Sequence, residues 1–183
     1  WTLPVVKLVW VNCHALFVLG LVVGGCYVAD RMVRSLIGRH GGASPLQDKL
    51  SSMSLFRAGL LSLVACFVNP YVEEGAFFPA TLYRKFSTDQ AIYGHSVGEF
   101  LSPLLHLRKI GLTNFYLDAE LFLFAVTLLS FLWLLIARHR WHPYRILLFA
   151  AFSHLAWEAS RNTNLFSLVS GVILVANLED LLR

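Results

Sequence analysis

Apolar runs of nearly membrane-spanning length alternate with polar segments along this sequence. A helix that crosses the hydrocarbon core of a bilayer needs about 20 mostly apolar residues. Five runs approach that length, over residues 3–29, 51–68, 117–137, 144–160 and 164–178. The last two are short and are separated only by "RNTN". We therefore expect them to form a tight helical hairpin or one broken helix.

The composition supports a membrane protein. Of the 183 residues, 57% are hydrophobic and only 14% are charged, and the mean hydropathy is +0.63. A soluble domain of this size needs a more strongly charged surface. We predict an all-α fold, a polytopic transmembrane helical bundle of about five spans that forms a single domain over 1–183. Membrane lipids are then the expected partners, and the net charge of +4 does not indicate nucleic acid.

The positions of the basic residues predict how the helices are oriented. The segment between the first two runs contains four basic and two acidic residues, and the linker "RHRWHPYR" contains three arginines and no acid. Both are expected on the cytoplasmic side by the positive-inside rule. The long segment 69–116 and "RNTN" then lie outside the cytoplasm. Within 69–116, "PATLYRKF" and "GEFLSPLLHLRK" mix apolar and basic residues, as helices lying in the membrane interface do.

Three polar residues near the end of the fourth run share one face of a continuous helix. His154, Glu158 and Arg161 are spaced at i, i+4 and i+7. Ionisable groups are costly in lipid, so they must pair, face a polar cavity or lie near the surface. Two interpretations remain open. The three residues form a structural network between helices, or they line a site open to the outer side together with the acidic residues Glu73, Glu74, Glu99, Asp118 and Glu120.

The first run also contains polar residues. Lys7, Trp10 and His14 share a helical face, and Asn12 points away from it. We expect Lys7 to extend to the outer interface, and Asn12 and His14 to form hydrogen bonds between helices. The functional alternative places His14 in a cavity that opens outward. The three cysteines have no metal-binding spacing, so no metal site is predicted.

Four short blocks of this sequence resemble a known family. "LVWVNCHALFVLGL" resembles a W-x-N-x-H…F-x-x-G helix, "FVNPYVEEGAFFP" an N-P-Y/G…P turn, "GEFLSP" an E-F/W-x-S-P segment, and "RNTNLFSLVSGVIL" an R-N-x-x-L-F-x-x-V helix. These blocks are typical of a group of bacterial multi-pass membrane proteins that is similar to GT-C type glycosyltransferases. In that group the catalytic acidic loop precedes the first of these helices. The resemblance therefore implies that this chain is the C-terminal portion of a longer protein.

The resemblance also implies a reaction and a set of residues. Such enzymes work on the outer face of the bacterial inner membrane and transfer a sugar from a polyprenyl-phosphate carrier, with inversion and without a metal or cofactor. A carboxylate acts as general base, and cations hold the lipid phosphate. For this role we expect Glu99 or Glu158 as the catalytic carboxylate and Arg161 near the phosphate. The remaining candidate binding residues are Asn12, His14, Asn69, His154 and Asn162.

Two other function classes stay open. In the first, the chain is a non-catalytic integral subunit of a larger membrane complex, for example a photosynthetic or respiratory one. In the second, His14 and His154 are axial ligands of a haem or a chlorophyll. We do not favour the second, because membrane histidines usually form hydrogen bonds and Glu158 is one turn from His154.

Overall fold

The computed structural model describes residues 2–36, 45–88, 102–110, 115–139 and 141–183, and throughout these ranges the regular structure is helical, without strands. The all-α prediction is therefore confirmed. The chain divides into two compact units, Trp1–Ser87 and Thr88–Arg183.

Four α-helices are described in the first unit. They are α1 (Thr2–Cys13), α2 (Val18–Leu36), α3 (Pro45–Ala65) and α4 (Val72–Thr88), with a 3₁₀ turn at Ala15–Phe17 between the first two. Helix α1 packs against α3, and α2 contacts α3 less extensively. Helix α4 contains the predicted interfacial segment "PATLYRKF", which is thus helical.

The first predicted span, 3–29, is not one helix. His14 has extended backbone angles (φ −157°, ψ 139°), and its Nδ1 accepts a hydrogen bond from the Leu16 backbone N–H at 3.0 Å. The side chain therefore caps the 3₁₀ turn instead of continuing the helix, as short-range side-chain bonds to the backbone do when they compete with helical bonds. The prediction of a continuous helix through His14 is wrong for this reason.

Lys7 is held beside this break. Its residue is only 5% exposed, and its ammonium group donates a hydrogen bond to the Phe17 carbonyl. The ammonium group also lies 4.9 Å from the centre of the Phe17 ring and 5.9 Å from that of Trp10. The expectation that Lys7 extends to the outer interface is therefore wrong. The buried ammonium group is thus stabilised by one backbone carbonyl and by the faces of two aromatic rings.

Four more α-helices lie in the described part of the second unit. They are α5 (Pro103–Ile110), α6 (Phe115–Arg138), α7 (Pro143–Glu158) and α8 (Thr163–Leu182). A 3₁₀ turn at Ser160–Asn162 follows Ala159, whose backbone is extended (φ −157°, ψ 132°). This extended residue reverses the chain, so α7 and α8 form a hairpin and not a broken helix. The prediction that both helices are short is wrong for α8, which has 20 residues.

Helices α6 and α8 pack side by side and run in the same direction. Glu120 contacts Thr163 near one end, and Ser130 contacts Asn177 towards the other. The buried residues of both helices recur at intervals of three, four or seven positions, which produces a seam along one face of each helix. On α6 these are Leu117, Glu120, Thr127, Ser130 and Leu134, and on α8 they are Phe166, Ser170, Ile173 and Asn177. Phe149 of α7 completes the core, with its ring centre 5.2 Å from that of Phe124 and 6.0 Å from that of Phe166.

Three segments are long and apolar enough to cross a membrane, namely Ala15–Arg34, Leu117–Arg138 and Ser160–Leu182. The helices Thr2–Cys13 and Met53–Ala65 are apolar but shorter, and α7 has 16 residues. The prediction of transmembrane helices is therefore supported by three segments of the described chain.

Candidate functional site

A network of polar side chains joins all three long helices of the second unit. Arg145 of α7 donates from Nη1 to Asp180 Oδ2 at 2.6 Å and to Asn177 Oδ1 at 3.0 Å. Asn177 in turn donates from Nδ2 to Ser130 Oγ of α6 at 2.9 Å. His142 Nε2 lies 3.3 Å from the same carboxylate oxygen of Asp180. We call these five residues the Arg145 network.

Local sequence explains why these side chains meet. Pro143 occupies the first turn of α7, where its missing N–H leaves no helical bond unmade. Arg145 follows in the same turn, and Asn177 and Asp180 lie three residues apart on one face of α8. The hairpin then brings the start of α7 to the end of α8. Arg145, Asp180, Asn177 and Ser130 are joined by hydrogen bonds, and these bonds connect the three helices.

Sequence reasoning missed this network. It used Arg145 only to orient the helices, and it assigned no role to Asn177 or Asp180. A signal was present, because Asn177 interrupts an apolar helix, and Asp180 lies at the same predicted side of the membrane as Arg145. Unpaired polar groups at such positions are costly, so partners should have been sought there.

A second polar cluster lies at the opposite end of the seam. The Glu120 carboxyl is buried, with 4% of the residue exposed, and its Oε2 lies 3.0 Å from Thr163 Oγ1. Thr163 Oγ1 also lies 2.6 Å from the Ser160 carbonyl. Asn162 is buried as well, and its Nδ2 donates to the Leu155 carbonyl at 2.9 Å. Asn162 therefore satisfies a carbonyl in the last turn of α7.

The predicted stripe of His154, Glu158 and Arg161 is interrupted. Helix α7 ends at Glu158, and Arg161 belongs to the 3₁₀ turn beyond the extended Ala159. The expectation that the three residues share the face of one helix is therefore wrong for Arg161. His154 Nε2 and Glu158 Oε1 do face each other, at 3.9 Å, and the two side chains are 70% and 40% exposed. Arg161 is also exposed.

In the first unit, Asn12 and the Asn69 turn come together although they are far apart in the sequence. Asn12 Nδ2 lies 2.9 Å from the carbonyl oxygens of both Leu8 and Val68. Asn69 Nδ2 bonds the carbonyls of Cys66 and Val72 at 2.9 and 3.0 Å, and its Oδ1 accepts from the Tyr71 N–H at 2.9 Å. Both amides therefore hold backbone where α3 ends and α4 begins.

Glu99, the alternative catalytic carboxylate, lies outside the described residues. Within the described ranges, no group of three or more His, Cys, Asp or Glu side chains is placed to hold a metal ion. The candidate residues thus fall into a set in the first unit (Asn12, His14 and Asn69) and a set in the second (His154, Glu158, Arg161 and Asn162).

Comparison with known proteins identifies no relative. No family model, no curated protein and no solved structure matches this chain. The expected relationship to GT-C type glycosyltransferases therefore has only the four sequence blocks in its support.

Proposed function

We propose that this chain is the membrane-embedded C-terminal part of a GT-C-like glycosyltransferase that uses a lipid-phosphate-sugar donor. The observation that carries this proposal is the contact of Asn12 with Val68, next to Asn69. Asn12 and Asn69 belong to two different family-like blocks, and the hydrogen bond joins those blocks across 56 positions of sequence. Motif residues that converge in space are expected of a shared site.

The proposed topology has five spans, with the segment 69–116 outside the cytoplasm and the membrane being the bacterial inner membrane. The parallel packing of α6 and α8 supports the second half of this topology. Two neighbouring spans that run in the same direction require the chain between them to cross back, and α7 is the helix between them. Its 16 residues extend about 24 Å at 1.5 Å per residue, somewhat less than the hydrocarbon core of about 30 Å.

In the proposed reaction an acceptor hydroxyl attacks the anomeric carbon of the donor sugar. Glu158 or Glu99 takes the hydroxyl proton as the new C–O bond forms. The bond between the anomeric carbon and the carrier phosphate breaks, and its electron pair leaves with the phosphate. Arg161 stabilises this charge, supported by the backbone N–H groups at the start of α8. In the second unit, His154 and Asn162 would position the substrates beside Arg161. In the first unit, Asn12, His14 and Asn69 are the corresponding candidate binding residues.

The test is sugar transfer from a polyprenyl-phosphate donor by the complete native protein in liposomes. Arg161→Ala and Glu99→Gln are expected to lower the rate at least tenfold without loss of folded protein. Arg183→Ala is the matched control, because Arg161 lies just before α8 and Arg183 is an exposed arginine just after it. Equal rates for the wild type, Arg161→Ala and Glu99→Gln would contradict the proposed site.

A second candidate is a non-catalytic integral subunit of a larger membrane complex. Helix α1 favours it, since its 12 residues are too few to span a bilayer alone, yet Leu3, Val5 and Val9 are at least 60% exposed. Such a surface would be covered by lipid or by another subunit. Purification from the native membrane in mild detergent distinguishes the two. A fixed set of co-purifying subunits, together with an intact mass near 20.6 kDa, would favour the subunit.

A further inference from the structure

The hydroxyl of Thr163 has more hydrogen-bonding neighbours than it has hydrogens. Its oxygen lies 2.6 Å from the Ser160 carbonyl and 3.0 Å from Glu120 Oε2. A carbonyl and an ionised carboxylate both accept hydrogen bonds, whereas a threonine hydroxyl has one hydrogen to donate and two lone pairs that accept. If Glu120 were ionised, only one of these two contacts would be a good hydrogen bond.

The Thr163 hydroxyl is expected to donate its hydrogen to the Ser160 carbonyl. This carbonyl is the closer of the two oxygens, and Ser160 precedes Thr163 by three residues. A threonine hydroxyl commonly bonds a carbonyl three or four positions before it. The lone pairs of Thr163 Oγ1 are then directed to accept, and the neighbour at 3.0 Å must be a donor. A carboxyl group donates only when it is protonated.

The surroundings of Glu120 agree with a neutral group. The residue is 4% exposed, and in the described part of the chain its one polar contact is Thr163. Charged and titratable groups occur at this end of the α6–α8 pair, namely Asp118 on α6, His154 and Glu158 towards the end of α7, and Arg161 in the 3₁₀ turn. None of them forms an ion pair with Glu120. Burial of an unpaired carboxylate is strongly unfavourable.

We propose that Glu120 is a proton-binding site, a neutral carboxylic acid in the folded protein that donates a hydrogen bond to Thr163 and thereby joins α6 to the start of α8. The chain of bonds runs from the Glu120 O–H to Thr163 Oγ1 and from the Thr163 O–H to the Ser160 carbonyl. Loss of the proton would place the Glu120 carboxylate next to Thr163 Oγ1, whose only hydrogen is already donated to the Ser160 carbonyl. Release of the proton would therefore weaken the α6–α8 contact at this end.

Infrared absorption of the full chain in lipid vesicles at neutral pH tests this proposal, because protonated carboxylic acids absorb separately from carboxylates. Glu120→Gln is expected to remove the absorption of one carboxylic acid, whereas the control Glu179→Gln, which changes an exposed carboxylate of α8, leaves it unchanged. The glutamine amide donates to Thr163 as the neutral acid does, so this variant is expected to fold. Equal carboxylic-acid absorption in the wild type and Glu120→Gln would overturn the proposal.

A second pair of variants tests the direction of the hydrogen bond without changing Glu120. Thr163→Val removes the accepting oxygen, so the carboxylic absorption is expected to move to the higher frequency of an unbonded acid. Thr163→Ser retains a hydroxyl and should restore the wild-type frequency. A frequency that is the same in Thr163→Val and the wild type would overturn the assignment of Glu120 as donor. Circular dichroism confirms that each variant retains its helix content.

Discussion

Asn177 of α8 donates a hydrogen bond to Ser130 of α6 at 2.9 Å, and both residues are buried. The same amide accepts a hydrogen bond from Arg145 of α7. One side chain thus connects the three long helices of the second unit. In a membrane, where lipid is as apolar as leucine, such polar contacts contribute to helix association where apolar burial cannot.

Replacement of Asn177 by alanine is expected to lower the free energy of unfolding by about 1–2 kcal/mol, because Ser130 and Arg145 both lose a partner. The measurement is denaturation of the detergent-solubilised protein, followed by circular dichroism. Asn164→Ala is the matched control, since Asn164 is an exposed asparagine in the same helix. Equal stability of the two variants would show that the interhelical bonds of Asn177 contribute nothing.

The ion pair between Arg145 and Asp180 is expected to be stronger than the one between Arg183 and Glu179. The first pair is about one-fifth exposed, at 22% and 20%, and joins two helices, whereas the second is 73% and 58% exposed. A double-mutant cycle with alanine is expected to give a coupling energy of about 1–3 kcal/mol for the first pair. The second should give less than about 0.5 kcal/mol, because water screens an exposed pair. Similar coupling energies would contradict this ranking.

Gly75→Ala is expected to destabilise the first unit. A Cβ at residue 75 would overlap the carboxamide of Asn69, and that side chain is held by three hydrogen bonds to backbone. We expect a loss of about 1–3 kcal/mol, typical of overpacking. Gly59→Ala is the control, because no atom lies within 4 Å of a Cβ there, and alanine favours a helix by about 0.5–1 kcal/mol. The two unfolding transitions should therefore shift in opposite directions.

Cysteine labelling tests the five-span topology. In a background without the three native cysteines, Glu73→Cys is expected to react with an impermeant maleimide added outside intact cells. Leu36→Cys and Leu182→Cys are expected to react only after the cells are opened. All three positions are exposed. If α3 does not cross the membrane, residues 36 and 73 lie on the same side, and their labelling will be identical.

Much of the helical pattern was predictable from local sequence. The predicted span 117–137 corresponds closely to α6, Phe115–Arg138, because a long run of apolar residues favours a helix wherever water is excluded. The run 51–68 corresponds to most of α3, which ends at Ala65 before the Asn69–Pro70 turn. The break at His14 was not predictable in this way, since its cap depends on a histidine side chain that bonds its own neighbouring backbone.

The sequence by itself determined that this protein is helical and apolar enough for a membrane, because hydrophobic content and run length act locally. Only the tertiary structure decided which polar residues meet. The extended Ala159 separated Arg161 from the face of Glu158, and the resulting hairpin joined Arg145 to Asn177 and Asp180 instead. Contacts of this kind depend on the direction in which each helix is packed. Here the extended backbone of Ala159 sets the direction of α8 relative to α7. The periodicity of apolar residues does not predict where such an extended residue occurs.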